Sequence, residues 1–371
     1  MGTATCGAAH PGGRRRARRA GRSGTVAGRG GRLSEGWTAM TTRTGATAAA
    51  LARAAALAGY APSLHNTQPW RWTVLADRME LHAVRERQLP ASDPDGRLLL
   101  VSCGTALHHA RTALTATGWE CTVQRLPRPR QPDLLAVLTP TAHHPPGAAA
   151  GRLVRDMETR RTDRRPVSDS PPPAAALTAL AAAAGTHGVA FGLLTQEQVY
   201  DLAAAASRAA DIERADPAVQ DEIAYWTGRQ DDLGVAERSL TGAQPETTVP
   251  VRDFGRPGTL PSGPGHDRAA RYAVLSVEED EPEAWLRAGE ALSAVWLTAT
   301  RHGVSVLPLS AVVEVPVTRA ALRRSTGDRG WPVMVLRIGV PDAGAGAPAA
   351  PRLSAAQIVD VDEVRHLLDR D

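Results

Sequence analysis

The stretch that decides the fold is APSLHNTQPWRW, residues 61–72. Between its two prolines lie five side chains that can form hydrogen bonds: Ser63, His65, Asn66, Thr67 and Gln68. The prolines restrict the backbone, which lowers the entropy lost when a ligand binds. Asn and Gln each offer a carbonyl and an NH2 group on one planar amide. The pattern predicts a binding loop for a flat heterocycle; a polar loop that only caps the preceding helix is the alternative.

The elements around this loop follow from hydrophobic period and from glycine and proline positions. Trp70 and Trp72 lie two apart on a predicted strand and share a face, so they suit either core packing or ligand stacking. The first half is predicted to contain helices at 46–57 and 98–117 and strands at 70–75, 79–84, 119–126 and 134–139.

The last third of the chain repeats the first. RYAVLSV (271–277) matches RMELHAV (78–84), and each precedes a long helix that runs into a strand. A second apolar strand follows in both halves, LLAVLTP and VMVLRIGVP. This order predicts an internal duplication with a pseudo-twofold axis, although chance similarity between alanine-rich helices is the alternative.

A second chemical stretch is ETRRTDRRPV, residues 158–167. Four arginines within six residues can form bidentate contacts with a phosphate. The alternative is a solvated helix end, where arginines meet the negative end of the helix dipole. A weaker element, APRLS (350–354), places Arg352 just beyond the last predicted strand.

PSLHNTQPW resembles the PS-x-x-N-x-QPW signature of the FMN-dependent nitroreductase fold, and RRTDRRPV resembles its R-x-S/T-x-R/K segment. In ordinary members the arginine segment precedes the loop, and a homodimer builds each site from both protomers. In this chain the order is reversed across a duplication. That arrangement is similar to the actinobacterial Acg family of FMN-binding nitroreductases, which are single-chain pseudo-dimers. The resemblance covers about residues 45–365.

The resemblance implies an α+β, nitroreductase-like fold in which two tandem halves pack as an intramolecular pseudo-dimer. We expect the halves at 45–143 and 152–371, joined by a linker at 144–151. The second half includes an irregular stretch, residues 231–267, that is rich in Gly, Pro and Thr and is typical of a lid or a disordered loop. Since each half satisfies the other's interface, we expect a monomer.

Carried over by position, the family's roles imply one FMN site made by both halves. Arg164 would approach the pyrimidine edge, where a positive charge favours the reduced anion, and Arg160 with Arg352 would hold the phosphate. Many nitroreductases carry an acid followed by Gly where this chain has Ser310-Ala311, which leaves the nicotinamide-facing side open. The implied cofactor-binding residues are Pro62, Ser63, Leu64, Asn66, Gln68, Arg160, Thr162, Arg164, Leu309, Ser310 and Arg352, and His65 is a further candidate.

Because flavin performs hydride and electron transfer itself, no catalytic side chain is expected. The implied activity is ping-pong: NAD(P)H reduces FMN, and a nitroaromatic or quinone then accepts the electrons. The alternative is a catalytically silent protein that sequesters FMN or acts in stress dormancy, with segment 231–267 as a lid that blocks nicotinamide.

The chain has 371 residues and a formal charge of +4, but its first 39 residues hold eight arginines and one acid, so the remainder is net acidic. This Gly- and Arg-rich tail (residues 1–44) predicts disorder, and it suggests either a nucleic-acid-binding arm or an untranslated stretch before a start at Met40. Nucleic-acid binding is the distant alternative.

Scattered cysteines and the lack of a signal peptide or of 18 consecutive apolar residues predict a cytoplasmic protein without a membrane helix. No G-x-S-x-G or H-E-x-x-H motif occurs, so neither a hydrolase nor a metal site is expected.

Overall fold

The computed structural model describes residues 30–229, 231–243, 245, 247–263, 265–342 and 346–368, with side chains from residue 44 onward. The chain divides into two units, Met1–Arg43 and Thr44–Asp371, and both sheets lie in the second. Among the described residues, no helix is long and apolar enough to cross a membrane, and no group of three or more His, Cys, Asp or Glu side chains could hold a metal.

The first helix, α1, spans Gly30–Leu57, whereas the sequence predicted a start near Ala46 and a disordered tail through residue 44. No proline occurs between its ends, and a helix that has nucleated adds further residues at little cost. The predictions for the part of the tail before residue 30 lie outside the described residues.

The first half forms a sheet of the order β3-β4-β2-β1, and the C-terminal strand β9 pairs parallel with β1 at its edge. The other pairings are antiparallel. The predicted strand 134–139 extends to His143. The elements are β1 (Trp70–Val74), β2 (Met79–Ala83), α2 (Arg97–Ala116), β3 (Trp119–Arg125), β4 (Leu134–His143) and β9 (Val359–Asp360).

The second half forms an antiparallel sheet of the order β5-β6-β8-β7. Its strands are β5 (Ala190–Leu193), β6 (Arg271–Val277), β7 (Ser305–Leu309) and β8 (Trp331–Gly339). Its longer helices are α3 (Ala150–Thr159), α4 (Ala174–Gly185), α5 (Gln196–Ala215), α6 (Pro217–Thr227), α7 (Pro282–Arg301) and α9 (Pro316–Ser325). Short helices are α8 (Ala311–Glu314), α10 (Ala355–Ile358) and α11 (Arg365–Leu368).

The two sheets have the same strand order once β1, β2, β3 and β4 are matched with β5, β6, β7 and β8. Helices α2 and α7 pack against each other at Gly104 and Gly289. A Cβ on Gly104 would lie 2.1 Å from the carbonyl oxygen of Leu286, and one on Gly289 would lie 2.0 Å from that of Val101. Each glycine precedes an Ala-Leu pair by two residues in the repeated segments. The close approach of the helices is therefore itself symmetric.

Each sheet has its own core, and α2 and α7 contribute side chains to both. Trp70 and Trp72 are fully buried in the core of the first half, so they pack rather than stack on a ligand. Leu353, Ile358 and Val364 join that same core. The C-terminal segment thus crosses back to the first half, which the predicted boundary of 152–371 did not anticipate. We propose that the two halves are repeats of one unit, and that the C-terminal segment of the second half packs into the first half.

Candidate functional site

The backbone of the binding loop is held at the N-terminal part of α2 by two hydroxyls of that helix, and one hydroxyl of the loop itself closes its turn. The Ser63 hydroxyl accepts from the Gln68 backbone N–H (2.9 Å), and the Leu64 N–H donates to Ser102 Oγ (3.1 Å). Thr105 Oγ1 donates to the Pro62 carbonyl (2.5 Å). These bonds allow the backbone to make its tight turn, and the side chains of α2 serve as the loop's platform.

The loop borders a cavity of about 430 Å³, a size that suits a ligand pocket. Apolar side chains from both halves form much of its lining, among them Leu98, Val101, Leu292, Trp296 and Met334. The lid segment, defined as residues 231–267 and described apart from 244, 246 and 264, contributes residues from Gly234 to Pro257. The structure brings to this one cavity ten of the predicted site residues: Pro62, Ser63, Leu64, Asn66, Arg160, Thr162, Arg164, Leu309, Ser310 and Arg352. Their contact with a cofactor stays a prediction.

Gln68 differs from the prediction because it does not line the cavity. It is fully buried, and its Nε2 donates to the Asp232 carbonyl (2.8 Å) while its Oε1 accepts from the Leu353 N–H (3.0 Å). Its amide therefore joins the loop to the lid segment and to the C-terminal segment. The side chain contacts protein and not the cavity.

Asn66 lines the cavity, yet its amide also contacts protein. Nδ2 donates to the carbonyls of Gly234 and Pro351 (3.1 Å each), and Oδ1 accepts from Arg352 Nη1 (2.5 Å). Asn66 thus orients Arg352 toward the cavity wall. Both residues belong to the predicted site, but their contact with each other is visible only in the structure.

Arg160, Arg161 and Arg352 form an arginine cluster, and Arg160 and Arg352 line the cavity. Arg160 is 4% exposed, and its guanidinium lies 4.5 Å from the centre of the Trp296 ring. Its Nε and Nη1 are buried without a hydrogen-bond partner among the described residues. No carboxylate in the described part of the chain forms an ion pair with these three arginines, whereas a buried cation normally has one.

The charges of the arginine cluster affect one another. Burial, then Arg352 and Arg161, hold the pKa of Arg160 well below its ordinary value. Burial, then Arg161, lower the pKa of Arg352 to about 10, so its side chain stays cationic at neutral pH. Adjacent cations without an acid, of which Arg160 is buried and Arg352 is partly exposed, favour a ligand that carries negative charge. The cluster can bind a phosphate, and the apolar lining beside it suits the body of a larger ligand.

Arg164 is a separate cation on the same cavity. Burial lowers its pKa to about 10 despite the nearby Asp163. Its Nη1 donates to the Ser239 carbonyl of the lid segment (3.2 Å), and its guanidinium lies 5.2 Å from the ring of Phe254. Arg165, in contrast, forms its ion pair with Asp163 (2.7 Å) and does not line the cavity. The four arginines of the motif therefore serve different purposes.

Sequence reasoning missed a second ionic cluster, which we call the latch: Arg252, Glu213, Glu314 and His65. Arg252 of the lid segment pairs with Glu213 of α5 (2.5 Å) and Glu314 of α8 (2.6 Å), and the side chains of all three are less than 10% exposed. Its Nη1 donates to His65 Nε2 (2.6 Å). Burial, then Arg252 and Arg164, hold the pKa of His65 well below its ordinary value, so the ring is neutral. No local pattern predicts pairs that lie 39 and 62 residues apart.

Comparison with known proteins gives the family. No family model matches the chain. It is 38% identical over 314 residues to the "Putative NAD(P)H nitroreductase Rv3131" of Mycobacterium tuberculosis (strain ATCC 25618 / H37Rv), which covers 83% of this chain and 90% of the relative. It is 32% identical over 323 residues to the "Putative NAD(P)H nitroreductase acg" of the same strain, with 85% and 95% covered.

Among solved structures, the FMN and NADPH-dependent nitroreductase NfnB from sphigopyxis sp. strain HMH matches 56% of this chain and 96% of its own, at 18% identity and a TM-score of 0.36. The assignment to a family therefore rests on the sequence relatives. The two mycobacterial relatives exceed 30% identity over nearly their whole length, and the chain therefore belongs to the Acg family of nitroreductase-like proteins.

Proposed function

We propose that this protein is an FMN-binding, nitroreductase-like oxidoreductase that transfers electrons from NAD(P)H to a small nitroaromatic or quinone acceptor in ping-pong order. The observation that carries the proposal is the arginine cluster: its cations have no carboxylate partner among the described residues, and Arg160 and Arg352 border a cavity made by both halves. The names of the mycobacterial relatives, each a "Putative NAD(P)H nitroreductase", support the same activity.

The residues present fit FMN. The unpartnered donors of Arg160 and the cationic Arg352 suit its phosphate, and the apolar side chains of α2 and α7 suit its ring system. FMN, when bound, supplies hydride and electron transfer. Pro62, Ser63, Leu64 and Thr162 would border it, and Leu309 and Ser310 would offer backbone groups beside it.

The chain's own contribution is electrostatic and steric. Arg164 keeps a positive charge on the cavity wall, and the low dielectric of the buried site strengthens its effect on a nearby anion. Lid residues Arg252 and Phe254 help to form the wall of the cavity. They limit the entry of water.

The test is an absorbance spectrum of the full chain purified without added cofactor, followed by anaerobic NADPH in the same cuvette. We expect flavin bands that bleach, and a nitroaromatic should then restore them. A colourless protein that also fails to bind added FMN would overturn the proposal. Because the two halves bury each other's interface, light scattering should give the mass of one chain.

One observation favours a second candidate function, which is the sequestration of FMN without turnover. The lid segment lines the cavity and is fixed by the buried latch, and a lid that stayed closed would block the approach of nicotinamide. In the same experiment, flavin bands that persist with NADPH but bleach with dithionite would favour this candidate over the reductase.

A further inference from the structure

The binding loop contains three residues with an unusual backbone. His65, Asn66 and Gln68 have φ values of 47°, 56° and 47°, in the left-handed region that residues with a Cβ rarely adopt. Each is at most 9% exposed. A conformation of this kind persists only where surrounding contacts impose it. The contacts that hold these three residues therefore determine the shape of one wall of the cavity.

The lid segment contacts all three of them. Asp232 accepts a hydrogen bond from the Gln68 side chain (2.8 Å), and Gly234 exchanges two with Asn66, one through each residue's carbonyl (3.1 and 3.2 Å). Arg252 donates to the ring of His65 (2.6 Å). Each left-handed position therefore has its own partner in the lid segment.

At two of the three positions, a segment outside the lid also forms hydrogen bonds with the loop. The C-terminal segment also holds Asn66 and Gln68, through Pro351, Arg352 and Leu353. Among the described residues, the hydrogen bond that the His65 side chain makes comes from Arg252, and a second lid residue, Phe254, meets its ring edge-on at 5.7 Å. His65 is therefore the position where the contribution of the lid can be isolated.

Arg252 is itself fixed from two directions. Glu213 comes from α5 and Glu314 from α8, so the guanidinium is anchored to the second half while it holds a loop of the first half. Glu314 also lies two residues after the cavity residues Leu309 to Val312. A movement of Arg252 cannot leave the loop unaffected, because the same guanidinium makes all three contacts.

We propose that the lid segment is a positioning element as well as a cover: its closure, through Arg252, imposes the left-handed conformation of the binding loop. Lid and loop then form one cooperative unit, in which opening of the lid relaxes the cavity wall. By linkage the coupling is reciprocal, so a loop that cannot adopt this conformation also loosens the lid.

The first experiment measures hydrogen–deuterium exchange in the full chain stripped of any flavin, with Arg252→Met compared against Arg238→Met. Arg238 is an exposed arginine of the same segment that bonds to the Ala349 carbonyl and does not line the cavity. We expect R252M to speed exchange about tenfold in peptides from both 231–267 and 61–69. R238M should leave the exchange rates of both segments unchanged. Faster exchange in the lid alone, or in neither segment, would overturn the coupling.

A second pair of variants remains informative even if R252M fails to fold. His65→Asn and His65→Val both remove the imidazole, but asparagine tolerates a positive φ whereas β-branched valine does not. We expect H65V to speed exchange of the lid segment well beyond H65N. Equal lid exchange in the two variants would show that backbone strain at residue 65 is not linked to the lid.

The consequence for the cofactor rests on the proposed function, whereas the coupling itself does not. If FMN binds, H65V should release it about tenfold faster than H65N, because the lid and the cavity wall relax together. This rate is followed by the recovery of flavin fluorescence after dilution. If exchange in the lid and the loop is coupled but FMN does not bind, the lid inference stands and the proposed function is overturned. If H65V and H65N release FMN at equal rates, the coupling is limited to the protein without FMN.

Discussion

Two sets of arginines line one cavity and differ in their counterions. Arg252 has two carboxylates within ion-pair distance, while Arg160 and Arg352 have none among the described residues. A buried charge costs several kcal/mol unless it is paired. The paired arginine is therefore part of the structure, whereas the unpaired ones are our proposed ligand-binding residues, because an anionic ligand would supply the missing negative charge.

The largest expected effect is on the free energy of unfolding, when the latch loses its carboxylates and Arg252 is left without an anion, as Arg160 is. The double substitution Glu213→Gln with Glu314→Gln leaves Arg252 buried without an anion, and we expect the free energy of unfolding to fall by about 3–5 kcal/mol. Urea denaturation measures this fall. Glu283→Gln serves as the control, because its exposed pair with Arg287 should contribute about 0.5 kcal/mol or less. A similar change in both variants would contradict the structural role of the latch.

The next effect concerns the arginine cluster. Arg160→Met should lower the affinity for FMN by roughly tenfold to a hundredfold, since it removes charge-assisted hydrogen bonds to the phosphate. It should not lower the free energy of unfolding of the flavin-stripped protein, because the substitution removes an unpaired buried charge. Fluorescence titration and urea denaturation give the two numbers.

Arg152→Met, at an exposed position of α3, is the matched control for Arg160→Met and should change neither quantity. If R160M destabilised the flavin-stripped protein as strongly as the latch variant does, the contrast between the two sets of arginines would not hold.

The smallest effect is a pH dependence confined to the latch. Burial raises the pKa of Glu213 even though Arg252 opposes the rise, so Arg252→Met should raise it further. A carboxyl whose pKa is higher in the folded state contributes stability at low pH that is lost as the pH rises through that pKa. Loss of Arg252 also removes one of the charges that lower the pKa of His65, so protonation of His65 at low pH costs the variant less stability. The stability deficit of R252M should therefore shrink between pH 7 and pH 5, by about 1.4 kcal/mol for each unit of added pKa shift.

Urea denaturation at the two pH values tests this sign. Adding Glu213→Gln to R252M should remove most of the pH dependence, because the titrating carboxyl is then absent. A deficit that stays constant or grows on acidification would show that Glu213 is solvated once Arg252 is lost.

Local patterns in the sequence predicted most elements to within a few residues and the repeated strand order. The resemblance carried by two short motifs implied eleven site residues, ten of which line the cavity. These features depend on short-range chemistry. The binding loop carries its polar side chains within six residues, and a strand or helix is coded by its own hydrophobic period. The α+β class and the family followed from the same stretches.

The tertiary structure alone decided which of those polar side chains contact protein and which remain available to a ligand. Gln68 looked like Asn66 and Ser63 in the sequence, yet its amide meets Leu353, 285 residues away. The latch joins Arg252 to carboxylates 39 and 62 residues away, and the C-terminal strand crosses to the first sheet. Such pairings depend on how helices and loops pack in space, and only burial determines whether an arginine needs a carboxylate or a ligand.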